Sequence, residues 1–127
     1  MATSFGKLII RNNEKSIRMD NEYRSCIAAC SNCVVTCELC ASACMREPNV
    51  EEMLSCIKLD LECASICRTA VQFMTLESNH ANSICQLCAD VCIACAEECE
   101  KHHNDHCREC AVICRECAAE CMSMTAA

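Results

Sequence analysis

The sequence predicts an all-α protein, an antiparallel up-down-up-down four-helix bundle with cysteines lining its core. Three observations lead there. Nineteen cysteines fall in four rows, and within three of these the steps alternate between three and four residues, the period of a helix face turned into a bundle. Charged residues such as Glu38, Lys58, Glu62, Arg68, Asp90, Glu97, Arg108 and Arg115 take outward positions, as solvated helix faces do. The chain holds a single glycine, Gly6, and a single proline, Pro48, too few turn-forming residues for a loop-rich fold.

The first helix is expected over 18–46. Its stripe is Cys26, Cys30, Cys33, Cys37, Cys40 and Cys44, bordered by Ile27, Val34 and Ala41 on one side and by Ala29, Thr36 and Ala43 on the other. Arg46-Glu47-Pro48-Asn49 closes it. The second helix is expected over 50–75, where Cys56, Asp60, Cys63, Cys67, Ala70 and Met74 occupy successive inward positions, so that Asp60 stands where the repeat would put a thiol. After Leu76 to His80 comes a third helix, expected over 80–101, with Cys85, Cys88, Cys92, Cys95 and Cys99. Past Lys101 to Asp105 a fourth is expected over 104–123, with Cys107, Cys110, Cys114, Cys117 and Cys121. Short connections favour antiparallel neighbours. Residues 18–124 make the bundle domain, whereas residues 1–17 lie outside the repeat as an N-terminal extension that is disordered, a short docking helix or part of a subunit contact.

Cysteine at roughly 15% of the chain would ordinarily suggest a disulfide scaffold. Such scaffolds belong to oxidising compartments, yet the longest apolar run near the N-terminus is Leu8-Ile9-Ile10, too short for a signal-peptide core, so a cytoplasmic location is expected. Cysteines three or four apart on one helix lean the same way and match disulfide torsions poorly, and an odd number leaves one over. A net charge of −7 without a basic block, and only Phe5, Phe73 and Tyr23 as aromatics, argue against nucleic acid as a partner. No apolar run approaches the roughly 20 residues of a membrane span. No nucleophile–base pair or carboxylate dyad has catalytic spacing, so no enzymatic activity is expected.

Bundle cores are normally filled with large aliphatic residues; a lattice of small thiols leaves room for something else. Successive Cβ atoms at these spacings are about 5–6 Å apart, and a metal bound at about 2.3 Å fits between two sulfurs. Thiolate-rich sites suit Cu(I), Zn(II) and iron–sulfur clusters. Zinc wants closed four-ligand knots, whereas Cu(I) accepts two or three thiolates and suits a continuous row of bridging sulfurs. No cysteine is followed by proline and no C-x-x-C-H is present, which disfavours common iron–sulfur and haem motifs. The best reading is a store of many Cu(I) ions, up to about one per cysteine. The alternative is a zinc or general heavy-metal thiolate sink with about four or five tetrahedral sites. A thiol redox protein is the rival from another class and would need an exposed cysteine of low pKa.

The rows C-x3-C-x2-C-x3-C-x2-C-x3-C over 26–44 and C-x2-C-x3-C-x2-C-x3-C over 85–99 and again over 107–121 resemble those of the bacterial copper storage (Csp) family, over about residues 20–124. The resemblance implies a four-helix bundle whose cysteines bind many Cu(I) ions. Without the twin-arginine export signal of some relatives, the chain is similar to the cytosolic branch, which implies a homotetramer.

Antiparallel helices bring the first and third connections to one end, where His102, His103 and His106 gather. By register His102 and His106 continue the third stripe, and His103 precedes Cys107 by four, so the three are candidate ligands at a copper mouth. Copper-donor or acceptor proteins would meet the molecule there. Met45 and Met53 near this end either add thioethers or pack, and Met19, Tyr23, Met74, Met122 and Met124 are expected to plug the other end. Val35, Leu39, Leu54, Leu61, Leu87 and Ile93 are expected to point outward, as a homo-oligomer contact would use.

Overall fold

The computed structural model describes residues 22–125. Within them the chain forms four helices: α1 (Arg24–Met45), α2 (Leu54–Thr75), α3 (Ala81–Cys99) and α4 (Asp105–Thr125), with a short 3₁₀ turn at Val50–Met53 ahead of α2. Each helix packs against the two that adjoin it, α1 on α2 and α4, α3 on α2 and α4, while the backbones of the diagonal pairs stay apart and only their inward side chains meet on the axis. This is the expected antiparallel ring of four helices.

The inward faces are those the cysteine rows mark. Every cysteine is fully buried or nearly so, and alanines at neighbouring positions, Ala41, Ala64, Ala89, Ala96, Ala111 and Ala118, let the backbones approach. Val34 and Ile57 close the seam between α1 and α2, and Glu38 pairs with Arg68 across the outside of it. Because cysteine and alanine supply its core face, α1 is by length and composition apolar enough to cross a membrane, contrary to the expectation that no stretch approaches a span, and this is a property that a thiol-lined core helix shares.

The helix ends differ from expectation in instructive ways. Residues 1–17, the expected first-helix positions 18–21, and with them Met19, lie outside the described residues; Glu22 and Tyr23 form a turn, and α1 begins at Arg24. Residues 50–53, expected as the first turn of the second helix, wind more tightly, and Met53 at their end is fully buried. The third helix stops at Cys99: the amides of Lys101 and His102 donate to the carbonyls of Glu98 and Cys99 three residues back, a tightened final turn. The fourth helix runs two residues beyond 123, to Thr125.

The end of α2 carries a non-glycine residue with positive φ, Glu77 at 53°. The Ser78 amide donates to the Phe73 carbonyl and the Glu77 amide to that of Met74, both at 3.0 Å, which is the paired bonding of a Schellman cap with Glu77 where glycine usually stands. Met74 is buried, and Met124 and Tyr23 pack partly against the core at this end, whereas Met122 and Met45 are exposed. Val35, Leu39, Leu54, Leu61 and Leu87 are exposed as expected; Ile93 instead packs partly against the core.

Candidate metal centre

The side chains inside the bundle form a ladder of sulfur atoms. All nineteen cysteines are free thiols. From one end, Cys26 and Cys30 meet Cys121 at 3.6 and 3.7 Å, Cys117 meets Cys30 at 3.6 Å, and Cys67 meets Cys88 at 3.6 Å. In the middle, Cys63 lies 3.5 Å from Cys92 and 3.8 Å from Cys33, and Cys37 lies 3.6 Å from Cys114. At the far end Cys56 meets Cys99 at 3.6 Å and Cys44 meets Cys107 at 3.9 Å. These separations exceed the roughly 2.05 Å of a disulfide bond by a wide margin. They match the distance between thiolates sharing one ion at about 2.3 Å, near 3.8 Å for four ligands and near 4.0 Å for three.

Sulfurs from different helices also converge in fours. Cys30, Cys67, Cys88 and Cys117 form one such group, Cys33, Cys37, Cys63 and Cys114 a second, and Cys40, Cys44, Cys56 and Cys107 a third, with all ligand atoms in each within 4.8 Å of one another. A further group, Cys33, Cys67, Cys92 and Cys117, borrows members from two of these, so the thiols are shared rather than partitioned.

Asp60 is the one buried charged-type residue among the described residues, and it is fully enclosed. Cys95 and Cys110 donate to its Oδ1 at 3.2 and 3.3 Å, Cys99 to the same oxygen at 3.7 Å, and Cys56 to Oδ2 at 3.8 Å. Thiols of both neighbouring parts of the ladder thus meet on one carboxyl. Burial, and next the negative charge that Cys110, Cys95 and Cys56 would carry as thiolates, pushes its pKa up to about 11, so the copper-free core holds it as a neutral acid at physiological pH. Near the histidine end, burial followed by the charge of Cys56 likewise raises Cys107, to about 12. No lysine, arginine or histidine is fully buried among the described residues to balance a thiolate. Protons neutralise this core until cations replace them.

Of the three histidines expected at the mouth, His106 is the one brought onto the thiols. Its Nδ1 lies 3.5 Å from the sulfurs of Cys40 and Cys107 and 3.9 Å from that of Cys44, while Nε2 meets Glu47 Oε2 at 2.9 Å. It reaches them from the first turn of α4, not as an extension of the third stripe, because the tightened turn after Cys99 takes residues 100–104 out of register. His102 turns to Glu98, Nε2 to Oε2 at 2.9 Å, and with His103, Arg108 and Arg115 lines an open surface cavity of about 670 Å³. Glu47 and Glu98 were not among the candidate residues. For Glu47 a signal existed: it is the next step of the stripe after Cys40 and Cys44.

The Csp copper storage protein family model matches residues 19–126. The uncharacterized cysteine-rich protein YhjQ of Bacillus subtilis (strain 168) is 44% identical over 84 residues, 66% of this chain and 78% of that one. Among solved structures, the Cu(I)-bound copper storage protein BsCsp3 superposes with a TM-score of 0.80 at 44% identity, covering 83% of this chain and 99% of that one. The copper storage protein Ccsp of Streptomyces lividans, loaded with 10 copper equivalents, gives 0.78 at 36% identity, covering 80% and 82%.

Proposed function

This chain belongs to the Csp family of copper storage proteins, and from that premise we propose that it holds about one Cu(I) ion per core cysteine, nineteen at capacity, each sulfur bridging neighbouring ions. One observation carries this stoichiometry: nineteen buried thiols, most of them at bridging distances from one another, with no fully buried cationic side chain among the described residues. A thiol that exchanges its proton for one Cu(I) leaves the core neutral. A Zn(II) ion in a four-thiolate knot leaves two negative charges in an apolar interior, where uncompensated charge is heavily penalised. The converging groups of four support zinc by geometry; charge balance supports Cu(I).

Copper enters and leaves at the end where Cys40, Cys44 and Cys107 surround His106, the partly open part of the ladder, and His102 and His103 flank the approach. Donor and acceptor proteins exchange copper there. The protein works in the cytoplasm, a location supported by the solved relative described as a cytosolic copper storage protein from Streptomyces lividans. It acts as a homo-oligomer, a tetramer of bundles, supported by the exposed Val35 and Leu39 one turn apart on α1 and Leu54 and Leu61 two turns apart on α2.

Anaerobic titration of the reduced, copper-free protein with Cu(I) against a chromophoric chelator tests the stoichiometry. A tight endpoint near nineteen ions per chain supports the bridged store; an endpoint near four or five contradicts it.

A further inference from the structure

We propose that Glu47 is a positioning residue for copper uptake: its carboxylate fixes the His106 ring so that an unprotonated Nδ1 faces Cys40, Cys44 and Cys107. This rests on reading that end of the bundle as the copper mouth.

The His106 ring stands between two unlike environments. On one side Nε2 is 2.9 Å from Glu47 Oε2; on the other Nδ1 is 3.5 Å from the sulfurs of Cys40 and Cys107 and 3.9 Å from that of Cys44. A carboxylate only accepts hydrogen bonds, so Nε2 carries the proton. In the neutral ring Nδ1 then keeps its lone pair, directed at three thiols that would bind the same ion. A carboxylate behind a ligating imidazole sets both its tautomer and its orientation, and losing such a partner typically costs about 10–100-fold in metal affinity or activity.

The backbone holds Glu47 for this task. Its amide donates to the Cys44 carbonyl and that of Arg46 to the Ala43 carbonyl, both at 3.1 Å, so the residue is pinned in the turn that leaves α1, directly after the ligand-bearing stripe. Its side chain and that of His106 are each about three-quarters covered, 26% and 24% exposed, enough to favour one geometry while leaving the ring accessible to an arriving ion. The Glu98–His102 pair has the same 2.9 Å separation, yet Glu47–His106 is the pair that reaches the thiols of the ladder.

The test compares the full chain with E47A, E47Q, H106A and the E47A/H106A double variant. Nitrogen-15 long-range spectra of the reduced, copper-free proteins report which His106 nitrogen bears hydrogen. Stopped-flow transfer of Cu(I) from a chelator reports uptake. In the parent and in E47Q, whose amide oxygen still accepts from Nε2, the expected result is an Nε2–H signature and uptake within about twofold of each other. E47A should show averaged ring shifts and roughly tenfold slower uptake. It should leave total copper capacity unchanged and add no slowing in the H106A background. Parental spectra and rates in E47A overturn the proposal. So does E47Q as slow as E47A, which would mean that charge alone matters, or equal slowing by E47A with and without His106. H106A filling at the parental rate overturns the mouth reading and the proposal with it; slow H106A with unaffected E47A overturns the positioning role alone.

Discussion

Replacing Asp60 with asparagine should stabilise the copper-free bundle at neutral pH, although it removes a carboxyl that four thiols contact. In the unfolded chain this carboxyl ionises near its ordinary value of 3.8; in the fold, burial holds it neutral up to about 11. A group whose folded pKa is raised contributes its full stability below the unfolded pKa and loses it as pH rises toward the folded one. Between pH 3.8 and 7 the unfolded state therefore binds one proton fewer, and the native state loses about 1.4 kcal/mol per pH unit, or about 4 kcal/mol at pH 7. Asparagine has nearly the same shape and does not ionise, so D60N should recover most of that amount, less a fraction for hydrogen bonds that an amide makes differently. The assay is anaerobic chemical denaturation of both proteins from pH 4.5 to 7 with thiols reduced. The expected result is a gap that widens with pH by about 1.4 kcal/mol per unit in favour of D60N. A constant gap, or a less stable D60N at pH 7, refutes the neutral buried acid.

Three further outcomes follow from the same geometry. Cu(I) binds the folded core in place of protons, so filling it should raise the anaerobic unfolding temperature markedly, and copper should be lost to a competing chelator more readily as pH falls. Zinc should saturate at a few ions per chain and be displaced by Cu(I), measured by equilibrium dialysis with metal analysis; nineteen zinc ions would contradict the charge-balance argument. Glycine in place of Glu77, whose φ is 53°, should raise stability by about 1 kcal/mol and the melting temperature by a few degrees, because it removes the steric cost of the left-handed conformation.

The interior was legible in the sequence because a helix face repeats with a fixed period. Cys26 to Cys44, Cys85 to Cys99 and Cys107 to Cys121 state which side of each helix is buried, and Cys56, Cys63 and Cys67 do so through a thinner stripe. Asp60 was visible as a departure from that stripe. Its contacts with Cys95, Cys99 and Cys110 were not, because these depend on how far one helix slides along another, which no single-helix pattern encodes. The ends were harder for a related reason: register persists only while the turns stay regular. The tightened turn after Cys99 moved His102 away from the third stripe, whereas His106 reached the thiols from α4. At the end of α2 the break at Leu76 to His80 was legible, but a chain with its only glycine at position 6 had to make its Schellman cap with Glu77, and no glycine marked that position.

The most direct test of the central claim is anomalous X-ray diffraction from crystals of the fully loaded protein, with data collected on both sides of the copper absorption edge. The account predicts a string of copper peaks along the bundle axis, approaching nineteen per chain, each about 2.3 Å from two or three core sulfurs and each sulfur shared between ions. A handful of isolated peaks, each enclosed by four thiolates that no other ion touches, or peaks confined to the surface around His102 and His103, would contradict it.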